Sequence, residues 1–482
     1  MASRNELSMH QYGSIIGGRQ LESGQWLEVN NPFTGRTVGR VASLDGKSAA
    51  EALHQTHAAG PHLSRHERRA ILDRMADTLD DRVDQVSRLI TDESGLCLQD
   101  TRYEASRVGD VLRFAAVKAL DDDSEVYPCD ITPNGRPRRI YTTRVPLKLI
   151  AAITPFNHPM NQVAHKIAPA IATGNTVLLK PSEKTPLSAY YLAQLALDCG
   201  LPPHMFNVIN GPVDQVAPLL VQHKLVDMVT FTGSSQIGRW IADHAGYKRL
   251  VLELGGSSPL LVLEDADMDQ AVDIAMAGLF KNSAQRCTAI RRLLVHRSLA
   301  DDFAHRLAEQ ASALRCGDPY DSDNDMGTVI DAAAAGAIEA RVDDALARGA
   351  RLLTGHKRQG ALYPPTVLDR VANDWPLVAE ETFGPVAPVI PFDTLDEAIV
   401  LANATPYGLS SGVVSDHWPS IQRVIHEIEA GTVNVNEAPS YRLEWTPFGG
   451  VKASGLGYKE GVIETMKAMT TIKTYSLPWD RP

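Results

Sequence analysis

The stretch Phe231-Thr232-Gly233-Ser234-Ser235-Gln236-Ile237-Gly238 holds an apolar strand end, a glycine turn and the opening of a helix. Around it the same unit repeats. Short apolar runs stand at Leu149 to Thr154, Thr176 to Leu179, Met205 to Ile209, Met228 to Phe231 and Leu250 to Leu254. Helical stretches fill the gaps at Pro159 to Ala172, Pro186 to Cys199, Val213 to Gln222 and Gln236 to Ala245. Strand and helix alternating at this spacing specify a parallel sheet with right-handed crossovers. The runs do not alternate apolar with polar, as strands covered on both faces do not. Ligands of such sheets sit at the carboxyl ends of the strands. Those ends here are Pro155-Phe156-Asn157-His158, Lys180-Pro181-Ser182-Glu183, Asn210-Gly211-Pro212, Thr232 to Ser235, and Glu253. The N–H groups of the Gly233-Ser234 turn suit a pyrophosphate. An ordinary βα turn has the same composition, and the G-x-G-x-x-G pattern is absent. Glu183 is placed either to accept from ribose hydroxyls or to cap a solvated helix.

A second α/β series follows Gly256. Its strands are Leu260 to Leu263, Arg292 to Val295, Ala387 to Ile390, Ser411 to Val414 and Thr432 to Val435, with a helix at Met268 to Phe280 and others between. Ahead of both series, residues 1–45 carry extended and turn signals, and Leu44 to Ile90 turns helical. Ser64 marks a helix start there, and Ile71, Leu72, Met75, Leu79 and Val83 follow at helical spacing. A further helix is expected over Tyr103 to Val117, and an exposed strand over Arg138 to Val145. The tail from Thr465 to Trp479 alternates like a strand that needs a partner, within this chain or on another subunit.

The chain of 482 residues is long enough for two or three domains. Its 47 basic and 58 acidic residues leave a formal charge of −11, which opposes non-specific nucleic-acid binding. An anionic substrate therefore needs a local basic pocket. The five cysteines, Cys97, Cys129, Cys199, Cys287 and Cys316, show no C-x-x-C spacing, as expected for a reducing compartment without structural zinc or another metal. Neither a signal-like start nor an apolar run of membrane-span length is present. The expectation is a cytoplasmic enzyme with no nucleic-acid or membrane partner.

Two segments carry reactive groups. Leu252-Glu253-Leu254-Gly255-Gly256-Ser257-Ser258-Pro259 puts a carboxylate at a strand end, and Phe280-Lys281-Asn282-Ser283-Ala284-Gln285-Arg286-Cys287-Thr288 puts a thiol among small polar residues. A lone cysteine is usually a small buried hydrophobe, and a glutamate before Gly-Gly usually just ends a strand. At one pocket, however, the two can make and then hydrolyse an acyl intermediate.

Taken together with Asn157 after Thr-Pro-Phe, Lys180 to Glu183, Phe231 to Gly238, Glu381-Thr382-Phe383-Gly384-Pro385 and Pro447 to Gly455, these segments resemble the aldehyde dehydrogenase superfamily, in order and over nearly the whole chain. The resemblance implies an α/β fold with a Rossmann-like cofactor domain (1–120 and 147–254), an α/β catalytic domain (255–460) and a β oligomerisation element (121–146 and 461–482), in a homodimer or homotetramer. It implies NAD as cofactor, held by Thr154, Phe156, Lys180, Glu183, Gly233, Ser234, Glu381 and Phe383. It makes Cys287 the nucleophile, Asn157 the oxyanion donor and Glu253 the base that activates water. The carboxylate at Glu253 favours release of the free acid over transfer to coenzyme A. Ala284 departs from the family, where many members have glycine.

More finely, Thr154 to Lys166, Gln285 to Ala289 and Ser440-Tyr441-Arg442-Leu443-Glu444-Trp445 look most like phosphonoacetaldehyde dehydrogenases of phosphonate (2-aminoethylphosphonate) catabolism. Relatives acting on lactaldehyde, methylglyoxal or glyceraldehyde 3-phosphate share Gln-Arg-Cys-Thr-Ala. Lactaldehyde, sulfoacetaldehyde, glyceraldehyde 3-phosphate or a semialdehyde are therefore alternative substrates. Arg107, His158, Arg286 and Arg442 are the candidates for binding an anionic aldehyde, because arginine's planar fork matches phosphonate oxygens. The other role for such arginines is structural or on the surface. A non-catalytic binding protein on this fold would lack Cys287, Glu253 or Asn157, and all three are present.

Overall fold

The computed structural model describes residues 9–57, 63–457 and 460–479. The fold is α/β and is built on two seven-stranded sheets. In the first, Leu149–Ile153 lies at the centre. Thr176–Lys180 and Phe206–Val208 succeed it on one side, Met228–Thr232 and Arg249–Glu253 on the other, all parallel. The chain thus reverses its direction of travel between Leu149–Ile153 and Met228–Thr232, which is where ligands of open α/β sheets bind. The antiparallel strands Ser14–Ile16 and Arg19–Leu21 extend the Phe206–Val208 edge.

Helix Asn161–Thr173 explains itself by composition. It is mostly apolar, every residue from Asn161 to Ala172 is buried, and its charged Lys166 is paired to Glu460. It lies beneath Leu98–Lys118 and Arg65–Asp81. The latter begins at Ser64 with a reciprocal capping box to Glu67, worth about 1 kcal/mol. Its face of Ile71, Leu72, Met75 and Leu79 is buried, at roughly 1.5–3 kcal/mol per large side chain.

The second sheet runs Arg351–Thr354, Thr366–Asp369, Val386–Phe392, Ile290–His296, Ser258–Val262, Ser410–Val414, Thr432–Val435. Only the first pair is antiparallel. Arg351–Thr354 and Thr366–Asp369 are only four residues each and are separated by 11 residues, too short and too far apart to read as a hairpin, so they go unread in the sequence. A third, antiparallel sheet joins Val126–Pro128, Arg138–Pro146 and Thr470–Pro478. The tail departs from its alternation. Val462–Ala468 is a helix, and the strand begins only at Thr470. Val462, Met466 and Met469 are drawn into the first core beside Ile167 and Ile171, so the buried face sets a helical period there.

Five residues after Glu253 closes the first sheet, Ser258 opens the second. Cys287 stands just before Ile290–His296, and Glu381 just before Val386–Phe392. Carboxyl ends of one sheet thereby face amino ends of the other, and the candidate residues collect at this seam.

Candidate active site

Glu253 sits in regular backbone. It pairs with Thr232 on one side and bridges Gly455 on the other, and its carbonyl accepts from the Gly233 N–H at 3.0 Å. The two glycines that follow are there for room. A side chain on Gly255 would collide with the Glu381 carboxylate, and one on Gly256 would come within 2.6 Å of the Cys287 carbonyl. The Gly256 N–H also donates to Glu381 Oε1 at 3.2 Å. One Gly-Gly step therefore brings Glu253, Glu381 and Cys287 together.

The thiol loop is strained. Asn282, Ser283 and Ala284 have φ of 60°, 50° and 57°, a region that costs a non-glycine residue roughly 1–2 kcal/mol. Other segments hold it there. Asp100 accepts from the Asn282 N–H at 2.8 Å, and Asn282 Nδ2 donates to the Asn157 carbonyl at 3.0 Å. Asn157 Nδ2 donates to the Gln285 carbonyl at 2.8 Å, and Gln285 Oε1 accepts from the Ile330 N–H at 2.9 Å. The second N–H of the Asn157 amide remains for another acceptor.

Arg291 completes the clamp. Side chains on a strand alternate between faces, so Arg291 and Arg292 point oppositely. Arg291 donates to the carbonyls of Ala284 (2.6 Å), Arg286 (3.2 Å) and Gly384 (2.9 Å), and lies 5.4 Å from the Phe383 ring. It thus ties the thiol loop to the Glu381–Phe383 loop. Burial pushes its guanidinium down to about 10. Arg292, on the other face, donates to the carbonyls of Ser257, Leu401 and Ala402 and anchors the sheet.

Burial pushes the half-buried Cys287 thiol up to about 11. Arg442 and Arg286 oppose that rise, whereas Glu253 and Glu381 add to it. Burial likewise raises the Glu381 carboxyl, against the pull of Arg291.

The cofactor candidates line the switch point. Ser234 caps helix Ser235–His244, its hydroxyl accepting from the Ile237 N–H. Thr154 Oγ1 and Ser235 Oγ are buried with no hydrogen-bond partner, which leaves polar atoms for a bound polar ligand. Lys180, buried, is ion-paired to the half-exposed Glu183. Phe156 and Phe383 meet edge to face, with ring centroids 5.9 Å apart. These residues fit a dinucleotide along the strand ends.

The substrate candidates divide. Arg107 and Arg442 converge on Glu444, and Arg442 approaches His165 at 3.3 Å. Arg286 donates to the carbonyls of Ala277 and Gly278 at the end of a helix, and it still acts on the Asp100 carboxyl and the Cys287 thiol. His158 turns to Glu104, with 3.5 Å between Nδ1 and Oε2. Glu104 and Arg107 lie one turn apart on helix Leu98–Lys118, and His158 also acts on the Asp100 carboxyl. Sequence reasoning passed over Asp100, Asn282, Arg291, His165 and Glu444 as functional residues. Asn282 and Glu444 lay within the segments that carried the resemblance, but nothing local marks Asp100 or Arg291.

A Rossmann-order sheet with a thiol and a carboxylate at its ligand-binding edge defines a nicotinamide-dependent oxidoreductase with a covalent step. Residues 20–475 match the aldehyde dehydrogenase family model, and the chain belongs to that family. It is 38% identical over 455 residues to aspartate-semialdehyde dehydrogenase 1 of Pseudomonas canavaninivorans, covering 94% of this chain and 96% of that one. Against 3-sulfolactaldehyde dehydrogenase of Priestia aryabhattai it is 35% identical over 467 residues, 95% and 96% of the two chains. The crystal structure of the NADP-dependent glyceraldehyde-3-phosphate dehydrogenase of Bacillus halodurans C-125 complexed with NADP superposes with a TM-score of 0.93 at 34% identity, covering 98% of this chain and all of that one. The protein is an NAD(P)-dependent aldehyde dehydrogenase. None of its helices, among the described residues, is long and apolar enough to cross a membrane.

Proposed function

We propose that the enzyme oxidises phosphonoacetaldehyde to phosphonoacetate, in phosphonate catabolism. The observation that carries the reading is the convergence of Arg107 and Arg442 on Glu444, with Arg442 acting on the Cys287 thiol, on a chain whose overall charge is −11. A neutral aldehyde has no use for half-buried guanidinium groups there, whereas a phosphonate pairs with their forked donors. Three relatives support an anionic substrate, since their names specify a carboxylate, a sulfonate and a phosphate aldehyde, while others are named for lactaldehyde and betaine aldehyde. Other small anionic aldehydes are the second reading.

In this proposal Cys287, as thiolate, bonds to the carbonyl carbon. The oxygen gains charge and accepts from the free Asn157 Nδ2–H and the Cys287 N–H, each such donor being worth about 10²–10³ in rate. NAD, when bound along Thr154, Phe156, Lys180, Glu183, Gly233 and Ser234 with its ribose at Glu381 and its ring beside Phe383, supplies the hydride acceptor. Cys287 is then left as a thioester. Glu253 takes a proton from water as the water's oxygen attacks that thioester, which frees the acid and returns the thiol. The exposed sheet of Val126–Pro128, Arg138–Pro146 and Thr470–Pro478 is the oligomerisation element of a cytoplasmic homodimer or homotetramer.

The test is NADH formation across phosphonate, sulfonate, phosphate, carboxylate and neutral aldehydes. The expected result is the highest kcat/KM for phosphonoacetaldehyde, lowered ten- to a hundredfold in Arg442→Ala or Arg107→Ala, on the scale of one charge-assisted hydrogen bond of about 1.5–3 kcal/mol. Equal rates with propanal would remove the phosphonate assignment.

A further inference from the structure

We infer that Glu444 is the positioning residue that makes Arg107 and Arg442 a single anion-binding unit. The inference rests on the anionic-substrate reading above. The two arginines come from distant segments, Arg107 from helix Leu98–Lys118 and Arg442 from the loop after Thr432–Val435. Glu444 Oε1 accepts from Arg107 Nε, and its Nη2 reaches the same oxygen. Oε2 lies 3.4 Å from Arg442 Nη2 and 2.5 Å from His165 Nε2, on helix Asn161–Thr173. One carboxylate therefore joins three elements.

Its depth matters. The Glu444 side chain is 6% exposed, against 16% for Arg107 and 15% for Arg442. The carboxylate thus sits behind the guanidinium groups, which keep the more open positions. Burial by itself would raise the Glu444 carboxyl, but Arg442, then His165 and Arg107, override that and hold it well below the usual carboxylate range. It is charged whenever the enzyme works. Burial lowers the His165 imidazole from its ordinary value, against the attraction of Glu444. Its Nε2 proton goes to Glu444, so the 3.3 Å approach of Arg442 to the same nitrogen is not a second hydrogen bond. Arg442 is steadied instead by Glu444 and by the Phe448 ring, 4.2 Å from its Cζ, and Arg107 by Glu444 and the Tyr103 ring at 5.6 Å. Trp445, next to Glu444, packs edge to face on Phe114 of the Arg107 helix, at 5.6 Å. A long arginine otherwise loses much rotamer freedom on binding; here that ordering precedes the substrate.

A carboxylate near an anion site invites the opposite reading, that it weakens anion binding by repulsion. The two differ in sign. As a positioning residue, Glu444→Gln removes the strong acceptor, frees both arginines, and raises KM for the anionic aldehyde. As an opposing charge, the same change lowers it. The experiment measures kcat and KM for phosphonoacetaldehyde and propanal in wild type and Glu444→Gln. The expected result is a ten- to hundredfold rise in KM for the phosphonate, kcat within about threefold, and propanal turnover within twofold. The propanal rate also reports folding. Should Glu444→Gln not fold, Glu444→Asp keeps the charge but is one methylene too short to span both arginines, and the same selective rise in KM is expected. A lower KM for the phosphonate, or equal losses with both substrates, overturns the inference alone. A wild-type enzyme indifferent between the two aldehydes overturns the anionic reading and this inference with it.

Discussion

Glu253 and Cys287 meet at one seam but are held there in opposite ways. Glu253 ends a strand whose backbone is paired on both sides, so sheet register alone sets where its side chain starts. Cys287 follows three successive left-handed residues, and its place depends on bonds from Asp100, Asn157 and Arg291. A register-held group is robust to changes elsewhere. A group on a strained loop is only as well placed as the side chains that hold it.

The largest effects come from the reacting groups themselves. Cys287→Ala should fold and bind cofactor but turn over at less than about 10⁻⁴ of the wild-type rate, as loss of a nucleophile does. NADH formation at a comparable rate would withdraw Cys287. The thiol also predicts a pH profile. Pushed up to about 11, it is thiolate to about one part in 10⁴ at pH 7. Iodoacetamide labelling of the cofactor-free enzyme, with Cys287→Ala as blank, should rise about tenfold per pH unit from pH 7 to 10. A plateau near pH 7 would mean that Arg442 and Arg286 outweigh burial.

Glu253→Gln is next. The acyl-enzyme should form once and then stall, because an amide cannot take a proton from water. A stoichiometric burst of NADH should precede a steady rate lowered about 10²–10⁴-fold. Melting should be little changed, since sheet register is a backbone property. An unchanged steady rate would take Glu253 out of the chemistry.

Arg291→Met tests the other half of the comparison. It leaves the carbonyls of Ala284, Arg286 and Gly384 without their donor, at about 1–3 kcal/mol for each one left buried and unpaired. The expectation is lower stability and a kcat reduced about ten- to a hundredfold, with thiol labelling altered. Arg291→Lys, with one donor group, should recover only part. If Arg291→Met lowered stability but left kcat and labelling untouched, Arg291 would be an anchor like Arg292 and the loop would hold itself.

The same contrast explains what was legible in the sequence. The five parallel strands of the first sheet were readable to within about two residues, because buried parallel strands write their apolar runs locally. Glu253 and Ser234 were readable as strand-end and helix-start residues for the same reason. Arg291 looked like one more residue on the way into a strand, and Asp100 stood ahead of the helix expected over Tyr103 to Val117, which begins at Leu98. Asp100 acts through a partner 182 positions away, Asn282, and Arg291 joins the nearby Ala284 and Arg286 carbonyls to that of Gly384, 93 positions away. The convergence of Arg107 on Glu444 spans 337. Side-chain networks of that reach leave no period and no spacing. His158, next to Asn157 in sequence, lies 3.5 Å from the Glu104 carboxylate, a neighbour 54 positions back that no local spacing announces.

The smallest expected effect is at Ala284, and it separates strain from packing. The residue is buried at φ 57°, where an L residue pays roughly 1–2 kcal/mol and glycine does not. Ala284→Gly removes that strain. Against it, glycine loses about 0.4–1 kcal/mol more to the unfolded chain, and a buried methyl group is worth about 0.8 kcal/mol. The terms nearly cancel, so melting should move by less than about 3 °C, on the scale of about 2–4 °C per kcal/mol. Turnover should stay within twofold, because Arg291 still holds the residue-284 carbonyl and Asp100 still holds the Asn282 N–H. A drop of more than about 5 °C, or a tenfold loss of kcat, would mean that the methyl itself packs the loop. The left-handed backbone would then be a consequence of that packing, rather than something imposed by the clamp around Cys287.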